Sequence, residues 1–85
     1  MKDKTIHDDA YKLLIIWIVD KRKELKISQD EFAKRLGISQ RKLSRIELRE
    51  RRIDIIELWY LCRELNIDFK EFTEKLDKIL KNMKN

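Results

Sequence analysis

Residues 28–47 have the sequence SQDEFAKRLGISQRKLSRIE, and this stretch decides the fold of the 85-residue chain. It predicts one helix, a three-residue turn and a second helix. Ser28 and Glu31 have the spacing of a capping box, in which each side chain accepts a hydrogen bond from the other residue's amide. Gly37, the only glycine, stands where the first helix ends and the backbone needs a positive φ. Ser39 then caps the second helix, so two helices joined by a tight turn are expected.

Positive charge is concentrated on the second of these helices and on the loop after it. Residues 39–52 hold six of the 21 basic residues and two of the 16 acidic ones, which leaves 15 and 14 for the rest of the chain. The six are Arg41, Lys42, Arg45, Arg49, Arg51 and Arg52. A cationic helix on an otherwise nearly neutral domain attracts phosphate, which indicates a partner such as DNA.

The remaining composition limits the architecture. Eighty-five residues allow one domain, and one glycine with no proline favours helices with short connections over a sheet. No internal repeat, low-complexity stretch or linker is visible. A single domain is expected over residues 8–82, with the two-helix motif at 28–47, its second helix at about 39–48, and residues 83–85 as a frayed tail.

Apolar periodicity and capping residues together predict five helices. They span about 8–25, 28–36, 39–48, 54–65 and 68–82, with Asp54 and Asp68 as further N-caps and Asn66 as a C-cap. The side chains expected to face inwards are Leu14, Ile15, Ile18, Val19, Arg22 and Leu25 on the first helix, Phe32, Ala33 and Leu36 on the second, Leu43 and Ile46 on the third, Ile55, Leu58, Leu61, Cys62 and Leu65 on the fourth, and Phe69, Phe72, Leu76, Ile79 and Leu80 on the fifth.

This pattern resembles the phage repressor and Cro family of helix-turn-helix proteins, the XRE type. The resemblance covers about Leu14 to Leu76 and rests on Gln29, Ala33, Gly37, Leu43 and Ile46, with the ending Ser44-Arg45-Ile46-Glu47. It implies an all-α, five-helix lambda-repressor-like DNA-binding domain. The chain departs from the family pattern after the recognition helix, where Leu48-Arg49 stands in place of the frequent Asn-Gly or Arg-Gly.

The resemblance also implies roles for individual residues. The positions that would contact bases are Gln40, Arg41, Lys42, Ser44 and Arg45, where glutamine suits adenine and arginine suits guanine. Gln29 would bind backbone phosphate and brace the next helix, and Arg22 with Glu47 corresponds to a structural pair. The basic loop adds Arg49, Arg51 and Arg52 as expected phosphate contacts.

Other classes of function have little support in the sequence. Cys62 is alone on an apolar helix face, which favours an inert core thiol, and one histidine with one cysteine cannot form a zinc site. No glycine-rich loop or nucleophile–base pair suggests an enzyme, a cofactor or a small-molecule ligand. The apolar run 13–19 is too short to span a bilayer and has no signal-peptide pattern. A cytoplasmic protein that is neither an enzyme nor membrane-bound is therefore expected.

The sequence thus predicts a sequence-specific transcriptional regulator of the repressor (Cro/C1) type that binds double-stranded DNA. A homodimer through the fourth and fifth helices, with Trp59 or Tyr60 at the contact, would place two recognition helices on an inverted repeat. Two alternatives stay open. The chain could be an antitoxin or other protein-interaction module with secondary DNA binding, or it could bind nucleic acid without sequence preference.

Overall fold

Five α-helices follow one another in the computed structural model, which describes residues 4–83. They are α1 (Lys4–Glu24), α2 (Gln29–Leu36), α3 (Gln40–Glu47), α4 (Ile55–Glu64) and α5 (Phe69–Asn82). No strand occurs in the described residues, and the predicted all-α, five-helix class is confirmed. α1 packs against α5 and α3, α2 packs against α3 and α4, and α4 packs against α5. No described helix has the length and apolarity that crossing a bilayer requires.

The two ends of the chain differ in part from expectation. α1 begins at Lys4, four residues before the expected start at Asp8. Residues 4–8 contain no glycine or proline, so nothing in the backbone stops the helix from extending past a residue that could have capped it. At the other end α5 finishes at Asn82 with Met83 as its C-cap, and the last two residues of the expected frayed tail lie outside the described residues.

The starts of α2 to α5 follow the predicted caps, with one correction. Ser28 Oγ accepts from the amide of Glu31 at 3.1 Å, but the Glu31 carboxylate accepts from Arg35 Nε at 3.1 Å instead of returning to Ser28. The expected capping box at Ser28 is therefore only half formed, because the charged donor one turn away forms the stronger bond. A complete box occurs on α4, where Asp54 and Glu57 exchange bonds of 2.7 and 3.0 Å.

The core contains most of the side chains expected to face inwards. Buried apolar residues are Ala10, Leu14, Ile15, Ile18, Phe32, Ala33, Leu43, Ile46, Leu58, Leu61, Cys62, Leu65, Ile67, Phe72 and Ile79. Leu25, Ile55 and Leu80 were expected to be inside and are instead exposed by 46%, 59% and 48%. Leu25 follows the last residue of α1, Ile55 is the first residue of α4, and Leu80 is next to the buried Ile79. At these helix ends no neighbouring helix covers the apolar side chain.

A four-residue connector with the same backbone conformation occurs three times between the helices. In each copy the second residue has a positive φ (57°, 72° and 56°), and the following isoleucine amide donates to the carbonyl five residues earlier. This is the hydrogen bond of a Schellman motif, and the isoleucine packs on the core while the fourth residue caps the next helix. The copies are Leu25-Lys26-Ile27-Ser28, Leu36-Gly37-Ile38-Ser39 and Leu65-Asn66-Ile67-Asp68.

Candidate nucleic-acid interface

α3 has one buried face and one open face. Leu43 and Ile46 are buried and fix the helix to the core. Gln40, Arg41 and Arg45 are exposed, and Ser44 is partly exposed. Because the helix presents its amino end and two arginines away from the body, this side of the domain combines free amide donors with positive charge.

The two arginines on this face are not neutralised by the rest of the domain. Within residues 8–83, neither Arg41 nor Arg45 has an ion pair. A guanidinium that is free and exposed can accept a new partner without first breaking an existing bond. These two side chains therefore have the accessibility that a contact with base edges requires.

A hydrogen-bonded path joins Gln40 to the interior. Gln40 Nε2 donates to Gln29 Oε1 at 3.4 Å, and Gln29 Nε2 donates to Glu47 Oε1 at 3.0 Å. Gln29 lies at the first position of α2 and Glu47 at the last position of α3, so the path ties both ends of the motif together. The Gln40 side chain is thereby linked to the first residue of α2 by one long hydrogen bond.

The path ends on an ion pair between α1 and α3. Arg22 donates from Nε and Nη2 to the two oxygens of the Glu47 carboxylate, at 2.7 and 2.9 Å. Its Nη1 donates to the carbonyl of Ile27 at 2.8 Å. Arg22 is the only buried charged residue in the described part of the chain, and every one of its guanidinium nitrogens has a partner. The pair therefore fixes α3 relative to α1 without leaving a buried donor unsatisfied.

Lys42 is placed differently from the other basic residues of α3. It is partly buried and turns towards α4, where its Nζ lies 3.5 Å from Glu57 Oε2. Arg51 Nη2 lies 3.5 Å from the same carboxylate oxygen, and Arg51 Nη1 donates to the Arg52 carbonyl. One carboxylate of α4 thus binds a cation from the recognition helix and another from the following loop.

The loop between α3 and α4 is fixed at two further points. Arg52 pairs with Asp8, and its guanidinium lies 4.5 Å from the ring centroid of Tyr11. The Tyr11 hydroxyl accepts from the amide of Ile53 at 3.3 Å. Arg49 is exposed and adopts φ 64°, in the left-handed region. Arg49 therefore adopts a left-handed conformation at the position where the family pattern frequently has glycine.

Sequence reasoning missed Glu57 and Tyr11 as parts of this surface. The Asp54–Glu57 spacing was a local signal for Glu57, since it is the spacing of a capping box. No local signal pointed to Tyr11, because its contacts with Arg52 and Ile53 join residues more than forty positions apart.

Two further observations concern metal ligands and the single cysteine. No group of three or more histidine, cysteine, aspartate or glutamate residues in the described part is arranged to hold a metal ion. Cys62 is buried in the core, and this burial, with a smaller contribution from Glu71, raises the pKa of its thiol to about 11. Such a thiol is protonated at neutral pH and is a poor nucleophile.

Comparisons with known proteins agree with this geometry. A family model described as Helix-turn-helix matches residues 18–72. A solved structure of an XRE-family like protein from Pseudomonas syringae pv. tomato str. DC3000 is 37% identical, with a TM-score of 0.84, over 89% of this chain and 93% of that chain. A search of curated proteins gave no match. The similarity extends well beyond residues 28–47 and includes most of the five-helix domain.

Proposed function

The chain belongs to the XRE-type helix-turn-helix family of DNA-binding transcription regulators, and we propose that it reads an inverted-repeat operator through the major groove as a homodimer. The observation that carries this proposal is the open face of α3, where Arg41 and Arg45 are exposed and unpaired within residues 8–83. A major groove is wide enough to admit one α-helix, and its base edges differ in donors and acceptors.

Base recognition is assigned to Gln40, Arg41, Ser44 and Arg45. Arginine can donate two hydrogen bonds to guanine, and glutamine can pair in the same way with adenine. Gln40 is held by Gln29 in the free protein, which supports a fixed orientation on DNA. Each good two-point contact of this kind discriminates against a wrong base by about 1–3 kcal/mol.

Phosphate binding is assigned first to Gln29 and Arg49, which flank the recognition helix. Arg49 is exposed and has no ion pair within residues 8–83. Arg52 lies in the same loop and is also a candidate, although it is already paired with Asp8. Arg51, which was expected to contact phosphate as well, is paired with Glu57. Lys42, which the resemblance places among the base contacts, is likewise paired with Glu57 and is considered separately below.

The homodimer is proposed to form through α4 and α5. Four large side chains of α4, namely Ile55, Ile56, Trp59 and Tyr60, are exposed by 42–64%, and Leu80 of α5 is 48% exposed. A cleft lined by Leu36, Ile38, Ile46 and Leu61, and also by Lys42 and Glu57, reaches the same face at Tyr60. Exposed apolar surface beside a cleft is typical of an interface. A two-fold axis here would set two recognition helices on half-sites about 34 Å apart.

The first experiment is selection of bound sequences from a random DNA pool, followed by footprinting. We expect a two-fold symmetric consensus. Arg45→Ala should weaken binding to this consensus and relax preference at one base pair, while the melting temperature stays the same. An equal loss of affinity on every sequence would show that Arg45 contacts only phosphate.

The second experiment is sedimentation equilibrium of the full chain. Trp59→Ser should weaken self-association, whereas Leu13→Ser, which changes a similarly exposed apolar residue on α1, should not. A chain that is monomeric alone and on DNA, but is purified with another protein bound to α4, would instead favour an antitoxin or interaction module. The proposed site of action is the cytoplasm.

A further inference from the structure

We propose that Glu57 limits the strength and the salt dependence of DNA binding by this surface. It acts as a positioning residue, because its carboxylate holds Lys42 and Arg51 on the protein and so withholds two cations from sequence-independent contacts with phosphate. This proposal rests on the proposed DNA-binding function. It assigns to α4 a part in DNA binding through the cations that Glu57 holds on α3 and on the following loop.

The carboxylate of Glu57 is held from three directions. Oε2 lies 3.5 Å from Lys42 Nζ and 3.5 Å from Arg51 Nη2, while Oε1 accepts from the amide of Asp54 at 3.0 Å. The side chains of Glu57, Lys42 and Arg51 are 29%, 35% and 37% exposed. All three are therefore more sheltered than the exposed pairs along single helices, such as Lys34–Asp30 at 71% and 58%.

Glu57 stays negatively charged over the range in which DNA binding takes place. The hydrogen bond from the Asp54 amide lowers the pKa of Glu57, and the nearby Arg51 and Lys42 lower it further against the opposing effect of partial burial. The first turn of a helix also favours negative charge. Both cations thus keep their counter-charge at neutral pH.

The basic surface accordingly has two classes of cation. Arg41, Arg45 and Arg49 have no ion pair within residues 8–83, whereas Lys42 and Arg51 share Glu57. Every additional cation that reaches a phosphate strengthens binding to all sequences alike and steepens the salt dependence by about 0.9. By holding two such cations, Glu57 lowers the affinity for operator and non-specific DNA alike and makes both less dependent on salt.

Glu57→Gln separates the charge of this residue from its capping role. The amide oxygen of glutamine can still accept from the Asp54 amide, but it cannot neutralise Lys42 or Arg51. Glu71→Gln is the matched control. Glu71 occupies the same third position on α5, pairs with Lys21 at 3.5 Å, and its substitution changes the net charge by the same amount.

The test measures Kd by fluorescence anisotropy at several salt concentrations, on the selected operator and on a scrambled duplex. Relative to Glu71→Gln, Glu57→Gln should steepen the salt slope by about 1–2 on both duplexes and strengthen binding to each, while the operator-to-scrambled ratio stays almost unchanged. Lys42→Met should leave the slope unchanged when Glu57 is present and should lower it by about 1 in the Glu57→Gln background.

Two results would overturn the proposal. One is a Glu57→Gln variant that differs from Glu71→Gln on neither duplex. The other is a lower slope for Lys42→Met in the otherwise natural chain, which would mean that Lys42 already contacts DNA; this measurement stands even if Glu57→Gln fails to fold. A natural chain that shows no preference for any duplex would instead contradict the proposed sequence-specific function itself.

Discussion

The guanidinium of Arg22 and the carboxylate of Glu47 meet through two hydrogen bonds, 2.7 and 2.9 Å long, at a site where their side chains are only 9% and 10% exposed. The pair links α1 to the last residue of the recognition helix. Its location makes it a determinant of how α3 is presented. Its burial makes the loss of either partner costly, since the remaining charge would have no counter-charge.

Glu47→Gln should therefore destabilise the domain by about 3–5 kcal/mol, as measured by urea denaturation. Arg22→Met should have a similar effect, and the double variant should lose less than the sum of the two, because the second substitution removes the stranded charge. Asp30→Asn, which breaks the exposed Lys34–Asp30 pair, is the control and should cost at most about 1 kcal/mol. A loss of at most about 1 kcal/mol for Glu47→Gln would contradict the claim that burial makes this ion pair costly to break.

Ala33 allows α2 to lie close to its neighbours, and it is only 2% exposed. Ala33→Leu should destabilise the fold by about 1–3 kcal/mol because the added side chain has no space in the core. For a domain of this size, that predicts a melting temperature lower by at least about 4 °C. Lys34→Leu, at the exposed next position, should leave the melting temperature almost unchanged. Equal melting curves for Ala33→Leu and the natural chain would contradict this packing.

We expect Arg49 to have opposite effects on stability and on DNA affinity. Its φ of 64° strains a non-glycine residue, so Arg49→Gly should raise the free energy of unfolding by about 0.5 kcal/mol after the entropic cost of glycine. The same substitution should lower the salt slope of DNA binding by about 1, because one phosphate contact is lost.

Lys26→Gly is the control for Arg49→Gly, because Lys26 has nearly the same backbone conformation, at φ 57°. This substitution also removes one positive charge, but at a position outside the proposed interface. It should show the gain in stability without the change in slope. If both variants alter the slope equally, the effect of Arg49 is one of net charge and no particular contact is lost.

Burial of Cys62 predicts a pH-dependent loss of stability in the alkaline range. The pKa of its thiol rises from the ordinary 9.0 to about 11 in the folded protein. The folded state thus keeps a proton that the unfolded state releases, and the stabilisation is present below pH 9 and is lost as the pH rises to 11. Comparing urea denaturation of the natural chain and of Cys62→Ala isolates this contribution from those of lysine and tyrosine. Equal pH profiles would rule it out.

Local signals explain why the motif could be predicted from the sequence. Ser28, Ser39 and Gly37 act on the backbone of their own or adjacent residues, so they predict where α2 and α3 begin and end without knowledge of the rest of the fold. The same is true of Asp54 and Asp68. The inward faces also followed from periodicity, because a helix must bury the side on which apolar residues recur.

The errors lie where distant elements meet. Periodicity assigns Leu25, Ile55 and Leu80 to a face, but whether another helix covers that face depends on tertiary packing. The partners of Lys42, Arg51 and Arg52 are likewise on α4 and α1, which a reading of residues 39–52 alone does not include. The recurrent connector was missed because its copies share only a leucine and an isoleucine, while the shared property is the backbone conformation between them.

Under the proposed function, the bond from Gln40 to Gln29 has a consequence for attempts to redirect this protein to new operators. A substitution at Gln40 also frees the amide of Gln29 and, through it, alters the surroundings of Glu47. Its effect on base preference will therefore depend on which residue occupies position 29, which is epistasis with a direct structural cause. Combinatorial libraries should randomise these two positions jointly, whereas Arg41 and Arg45, which lack such a tether, can be varied one at a time.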